Sequence, residues 1–130
     1  MFKEATKLDT WIDEIDSFIE LEDGCCVASN VIDDTKIFVK EIYGVDSDNP
    51  WHRRCGVEIT PTETGSILFS IQAVDGTFLD IEFLSSGIIS LYHYTKVYDE
   101  GTVIDLLYKD VVSVEDAVKE FKDLIEHSAI

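Results

Sequence analysis

The feature that most constrains this fold is a pair of alternating apolar runs separated by two residues. Residues 66–74 and 77–84 alternate between apolar and polar side chains, and Asp75-Gly76 joins them. A two-residue Asp-Gly connection is the strongest short-range signal for a β-hairpin, because both turn positions need a positive φ. The centre of the chain is therefore predicted to form an antiparallel hairpin.

Further strands are predicted on both sides of this hairpin. After it, residues 88–98 alternate again and residues 102–108 follow a short loop, which extends the hairpin into a meander of about four strands. Before it, three shorter segments have a strand-like composition and are assigned as strands, at 25–28, 36–43 and 55–60.

An amphipathic helix is predicted near the start of the chain, over residues 8–22. Thr10 followed by Asp13 resembles a capping box in which Asp replaces the usual Glu, and Gly24 supplies a stop signal. Apolar residues recur every three or four positions on one face of this helix: Leu8, Trp11, Ile12, Ile15, Phe18 and Ile19.

A second amphipathic helix is predicted to follow the strands. Ser113 is its expected N-cap, with Asp116 three residues later as the acidic cap partner. The order helix, strands, helix predicts a single α+β domain over residues 1–130. Its antiparallel sheet of about 4–6 strands is expected to pack against an N-terminal and a C-terminal helix.

Net charge restricts the class of partner. The 130 residues carry 27 acidic and 10 basic side chains, a formal net charge of −17. Small domains need a net charge of only about 2 to 8 for solubility, and the excess opposes compaction through self-repulsion. Nucleic acids and anionic membranes are recognised through Lys and Arg, so we expect neither as a partner. We expect a strongly cationic protein partner instead.

Composition also bears on order and compartment. Hydrophobic residues make up 45% of the chain, which is more than acidic disordered segments contain. A membrane-spanning helix needs about 18 consecutive apolar residues, and no apolar run in the sequence is that long. The acidic N-terminus lacks the apolar core of a secretory signal. Cys25, Cys26 and Cys55 are too few and too unevenly spaced for a disulfide framework, so we expect a cytoplasmic protein.

Residue spacing argues against a zinc or catalytic site. Cys25, Cys26, His52 and Cys55 are zinc-binding residue types, but adjacent cysteines rarely direct both sulfurs to one metal, and no CxxC or HxxxH pair is present. No GxSxG signature marks a nucleophile, and His93 lies in an alternating pattern typical of a packed sheet residue. No catalytic, cofactor-binding or metal-binding residue is predicted, and we expect the chain not to be an enzyme.

Other carboxylates and the glycines match no recognised site. The seven glycines are scattered and form no phosphate-binding loop. Three short acidic groups could hold calcium, although the EF-hand pattern is absent: Asp33-Asp34, Asp46-Ser47-Asp48 and Asp80-Ile81-Glu82.

The acidic surface is the predicted binding site. Residues 1–34 contain ten acidic residues and two lysines, a net charge of −8. Spaced carboxylates can match a basic cleft or imitate the phosphates of a nucleic acid. The residues predicted to bind the partner are Asp13, Asp16, Glu20, Glu22, Asp23, Asp33 and Asp34, with a second cluster of Asp46, Asp48 and Trp51.

Two further features leave alternatives open. The basic cluster Trp51-His52-Arg53-Arg54 could contact nucleic acid, pair locally with Asp46 or Asp48, or anchor an interface, because Trp and Arg are typical hot-spot residues. Tyr92, Tyr94 and Tyr98 share one side of the predicted sheet, which is either an interface or a surface covered by a helix.

The chain resembles the small immunity proteins of contact-dependent inhibition and other polymorphic toxin systems of bacteria. The resemblance lies in length, strong acidity, the helix-plus-sheet order and the ending Ser-Val-Glu-Asp-Ala-Val-Lys-Glu-Phe at 113–121. It implies a cytoplasmic, non-enzymatic antitoxin that binds a cognate toxin domain, often a cationic nuclease, and occludes its active site. The resemblance leaves the oligomeric state open.

Two other classes share the size and charge of this chain. Type III secretion chaperones are small acidic α+β proteins that bind effectors, and their pattern has a helix between the third strand and the later ones. Here Gly87 to Tyr98 is predicted to be a strand instead. Nucleic-acid mimics that inhibit defence enzymes form the other class.

Overall fold

Two helices precede an antiparallel sheet of five strands, and a third helix follows it, within the residues that the structure describes. The computed structural model describes residues 6–19, 27–45, 51–73, 76–97 and 102–127. A single 3₁₀ turn, Trp51–Arg53, leads into the first strand. The helices and strands are α1 (Lys7–Ser17), α2 (Ser29–Tyr43), β1 (Cys55–Pro61), β2 (Ile67–Ala73), β3 (Thr77–Phe83), β4 (Ile89–Val97), β5 (Thr102–Val111) and α3 (Val114–His127).

The sheet is a meander in which each strand pairs with the next along the chain. Its order is β1-β2-β3-β4-β5, and every pair is antiparallel. Gly76 and Gly87, in the turns after β2 and β3, have φ values of 89° and 93°, which side chains with a Cβ rarely adopt. The predicted α+β fold is confirmed, as are the strands predicted in the second half of the chain and at 55–60.

The helix α2 corrects one prediction. Residues 36–43 were assigned as a strand, and this assignment is wrong because they form the second half of α2. Of the segment predicted at 25–28, Cys25 and Cys26 lie outside the described residues, and Val27 and Ala28 precede α2 without forming a strand. The buried residues of α2 recur with a helical period that is apparent only when the segment is considered from its start: Val31, Ile32, Thr35, Phe38, Val39 and Ile42.

The first helix begins one residue earlier than predicted, and its capping box lies one turn earlier. The capping box is formed by Thr6 and Asp9, whose backbone N–H groups each donate to the other's side chain over 3.1 Å. The predicted box of Thr10 and Asp13 is wrong, because the Thr10 hydroxyl donates to the Thr6 carbonyl inside the helix. The helix ends at Ser17, and residues 20–24 lie outside the described ranges.

The cap of the third helix agrees with the sequence. The Asp116 backbone N–H donates to the Ser113 hydroxyl over 3.1 Å, immediately before the helix begins. This bond satisfies one of the first N–H groups of the helix, which have no partner within it. The helix packs against β4 and β5 on the same side of the sheet as its two predecessors.

An aromatic core joins the helices to one face of the sheet. Trp11 of α1 stacks on Trp51, with ring centroids 5.8 Å apart, and meets the edge of Phe69 of β2. Phe38 of α2 contacts Phe69 and also Phe121 of α3. These rings are buried, so all three helices share one hydrophobic core with the sheet.

Candidate functional site

The predicted acidic residues of α1 and α2 lie on the outer surface of the helices. Asp13, Asp16 and Asp33 are exposed, and Asp34 is half-buried. The helices α1 and α2 pack together, and Lys36 of α2 pairs with Asp16 of α1 at 2.9 Å. Four predicted residues therefore share one helical layer, and one of them is already paired with a lysine.

Asp34 differs from the other acids of this layer. Burial raises the pKa of its carboxyl above the ordinary value, and the charge of the adjacent Asp33 raises the pKa further. The ionised form of Asp34 is therefore held at a cost to the fold. A cation brought near this pair would relieve that cost.

Trp51 is accounted for by packing. Its side chain is 0% exposed, and its indole N–H donates to the Ile42 carbonyl at the end of α2 over 2.8 Å. We therefore do not include Trp51 in a binding surface. The other predicted site residues lie outside the described residues: Glu20, Glu22, Asp23, Asp46 and Asp48.

The sheet presents a second surface on the side away from the helices. Along β1 to β4, and along β5 from Leu107 onward, odd-numbered residues face the helices and even-numbered residues face the other way, because side chains alternate along a strand. None of the described helices lies over the even-numbered side. We name this side the open face; its main residues are Glu58, Leu68, Ser70, Phe78, Asp80, Glu82, Ser90, Tyr92, Tyr94, Tyr108 and Asp110.

Asp80 lies in the middle of the open face and is held by two hydroxyl groups. The Ser70 hydroxyl of β2 donates to one carboxylate oxygen over 2.5 Å, and the Tyr94 hydroxyl of β4 donates to the other over 2.8 Å. Burial and then this bond to Asp80 raise the pKa of Tyr94 above its ordinary value. The central carboxylate is thus fixed in position by both neighbouring strands.

Asp110 of β5 is held in a similar way. The Ser90 hydroxyl donates to its carboxylate over 2.7 Å. Hydrogen bonds from Ser90 and Tyr108 lower the pKa of Asp110 below its ordinary value, and the same bond to Asp110 raises the pKa of Tyr108. Both effects favour a charged aspartate beside a neutral tyrosine at neutral pH.

Aromatic rings on the open face form two cross-strand pairs. Phe78 and Tyr94 are register partners whose rings are stacked, with centroids 5.2 Å apart and planes inclined by 5°. Tyr92 and Tyr108 are also register partners, with centroids 4.9 Å apart and planes inclined by 48°. The Tyr108 side chain is 55% exposed, so its pair is accessible from solvent.

The open face carries four carboxylates among the described side chains. Glu58, Asp80, Glu82 and Asp110 lie on it. Lys109 of β5 lies on the other side of the sheet, where it pairs with Glu120 of α3. The open face is therefore rich in carboxylates, and Lys96 holds an even-numbered position near the end of β4.

Sequence reasoning identified only part of this surface. It placed Tyr92 and Tyr94 on one side of the sheet, and the structure confirms that they share the open face, whereas Tyr98 lies outside the described residues. It considered Asp80 and Glu82 only as a calcium site, and it overlooked Tyr108 and Asp110. The alternation of side chains along β5 could have identified both residues, because Tyr108 and Asp110 lie on the same side of the strand and Tyr108 is opposite Tyr92.

The remaining reactive side chains lie elsewhere. His52 is 6% exposed, stacks on Tyr43 with ring centroids 4.3 Å apart, and lines a groove of about 340 Å³ together with Cys55. His93 lies on the helix side of β4, beside Leu107 and Leu124. Within the described ranges, no three His, Cys, Asp or Glu side chains are grouped closely enough to hold a metal ion.

Comparison with known proteins identifies no relative for this chain. It matches no protein-family model, no curated protein and no solved structure. Across the described part of the chain, each helix is too short or too polar to span a bilayer.

Proposed function

We propose that this protein is a non-enzymatic inhibitor that binds and neutralises a cationic toxin domain, as the bacterial immunity proteins it resembles do. The observation that carries this proposal is the distribution of negative charge over two opposite surfaces. Acidic side chains occupy the outer surface of α1 and α2, and four others occupy the open face. A surface of one sign attracts a partner of the other sign and accelerates their association.

The positive charge expected of the partner indicates which class of toxin it is. A domain that cleaves nucleic acid needs a basic cleft to bind phosphates, so a nuclease is the toxin class that best fits a protein of net charge −17. In this proposal the inhibitor acts in the cytoplasm, where the toxin would reach its substrate. It neutralises the toxin by covering the cleft and has no catalytic part in the process.

The geometry does not favour the chaperone alternative. Residues 84–88 join β3 directly to β4 through a turn in which the Leu84 N–H donates to the Ile88 carbonyl over 3.0 Å. The secretion chaperones have a helix after the third strand. The inhibitor proposal requires no such element.

Affinity capture from the native host tests the proposal. The immobilised protein is exposed to host lysate and eluted with a NaCl gradient, and an unrelated protein of similar size and net charge serves as the control bait. We expect one basic, folded domain to be released from this protein at a salt concentration at which the control retains none. The captured domain is then expressed alone and together with this protein.

Growth of cells that express the captured domain, with and without this protein, tests the inhibitor function. The proposal predicts that the captured domain arrests growth alone and that co-expression of this protein restores it. Unchanged arrest during co-expression would contradict the inhibitor function. Capture that is insensitive to salt would contradict the electrostatic basis of the binding.

A further inference from the structure

The open face, more than the helical layer, has the features of a protein-binding surface. It combines acidic groups with partly exposed aromatic rings, whereas the acids of α1 and α2 are exposed side chains on a helix surface. Aromatic residues are enriched at the centres of protein interfaces, because a rigid ring buries a large area at a small entropic cost. Charge alone does not distinguish the two surfaces, but the rings do.

The carboxylates of the open face are held in place before any partner arrives. Asp80 accepts hydrogen bonds from Ser70 and Tyr94, and Asp110 accepts one from Ser90. A carboxylate offers about four lone-pair sites, so each group retains capacity for further donors. A side chain that is already ordered loses little entropy when it binds, which favours association.

The nearby rings indicate which cation fits best. A guanidinium group is planar, donates two parallel hydrogen bonds to a carboxylate, and stacks on aromatic faces. An ammonium group satisfies the charge but makes neither the paired bonds nor the planar stacking. Tyr108 is 55% exposed and lies two residues before Asp110 on the same side of β5, so ring and carboxylate are available together.

We propose that the open face is the partner-binding surface and that it selects arginine side chains of a cationic protein. This inference rests on the proposed function and adds to it the surface and the recognised side chain. The aromatic pairs would receive guanidinium groups, and Asp80, Asp110 and Glu58 would supply the charge. The acids of the helical layer would contribute to long-range attraction and make no direct contact.

Two synthetic peptides test this assignment with the protein alone. Deca-arginine and deca-lysine are titrated into the ¹⁵N-labelled protein at low salt, and amide and tyrosine ring shifts are followed by NMR. We expect shifts confined to β1–β5, with the largest at Tyr92 and Tyr108. We expect deca-arginine to bind about threefold more tightly than deca-lysine, because only arginine stacks and binds carboxylates in pairs.

Matched variants locate the binding surface. Glu58→Gln with Asp110→Asn removes two charges from the open face, and Asp13→Asn with Asp33→Asn removes two from the helical layer. We expect the first pair to weaken deca-arginine binding about fivefold and the second pair less than twofold. Tyr108→Leu keeps the charge and should reduce the preference for arginine, because it removes one of the two aromatic pairs. Glu58→Gln alone, at an exposed position, provides a test that does not depend on the Asp110 network.

The outcomes separate this inference from the proposed function. Shifts centred on α1 and α2, or equal losses in both charge-matched pairs, would overturn the assignment to the open face and leave a cationic partner in place. An unchanged arginine preference in Tyr108→Leu would overturn the role of the aromatic pair. Absence of binding of either peptide at low salt would count against the electrostatic function itself.

Discussion

The hydrogen bond between Tyr94 and Asp80 provides a quantitative test of how the open face is organised. In the variant Tyr94→Phe the ring can still stack on Phe78, but the hydroxyl that donates to Asp80 over 2.8 Å is removed. A hydrogen bond to a charged group contributes about 1.5–3 kcal/mol when it is well shielded from water. Because Tyr94 is only half-buried, we expect the lower end, about 1–2 kcal/mol.

Urea unfolding measures this loss. The fluorescence of Trp11 and Trp51, which are 7% and 0% exposed, reports the loss of the core. With a urea dependence of about 2 kcal/mol per molar, typical of small proteins, the midpoint should fall by about 0.5–1 M. The control is Tyr92→Phe, which removes the same atom from the same strand. Tyr92→Phe leaves the ring contact with Tyr108 in place, and we expect it to cost less than about 0.5 kcal/mol.

The pH dependence of the variant has a definite sign. Burial and the bond to Asp80 raise the pKa of Tyr94 in the folded state above that of an unfolded tyrosine, which is about 10. The resulting stability is present below about pH 10 and is lost as the pH rises further. The difference between wild type and Tyr94→Phe should therefore shrink above about pH 10. Equal losses in the two tyrosine variants, or a constant difference through alkaline pH, would refute this account.

Three further predictions concern the core and two titrating groups. Phe38→Ala should cost about 3–5 kcal/mol in urea unfolding, because the ring is 0% exposed among other aromatic rings, whereas Ile37→Ala, at a position 51% exposed, should cost under about 1 kcal/mol. Burial, together with the charges of Lys7 and Arg53, lowers the pKa of His52, so the contribution of this residue to stability is present above about pH 6.5 and is lost as the pH falls. The stability of His52→Phe relative to wild type should therefore increase as the pH falls, and thermal unfolding between about pH 7.5 and 5.5 measures this difference. Asp34→Asn should raise the urea midpoint at pH 7, because the raised pKa of Asp34 means that its charge opposes folding, and the gain should fade in acid.

The helix α2 shows how local composition can mislead. Residues 36–43 are rich in β-branched and aromatic side chains, which favour strands in isolation. In the structure they continue a helix from Ser29, and burial of Phe38 and Ile42 in the shared core outweighs the weak local preference. A search for the 3.6-residue period from residue 29 onward would have identified the helix.

The first capping box shows a different limit. Thr6 with Asp9 and Thr10 with Asp13 have the same residue types at the same spacing, so the sequence offers two equivalent starts. In the structure the earlier start allows Leu8 to pack against the core beside Trp11, and Lys7 donates to the His52 carbonyl over 2.7 Å. Only tertiary contacts distinguish the two registers.

The sequence by itself determined the central hairpin and the strands that follow it, because turn chemistry and a period of two are local properties. The Asp75-Gly76 connection and the alternation on each side of it specify a meander before any long-range contact is considered. The same is true of the helix after Ser113, whose cap and apolar period lie within a few residues.

Only the tertiary structure decided which face of the sheet the helices cover. Both faces carry large apolar side chains, such as Phe69 and Phe83 on one and Phe78 and Tyr94 on the other. The helices α1, α2 and α3 all pack on the first, which leaves Asp80 and its hydroxyl donors on the second. That choice depends on how residues distant in sequence fill a common core, and it determines where a partner can bind.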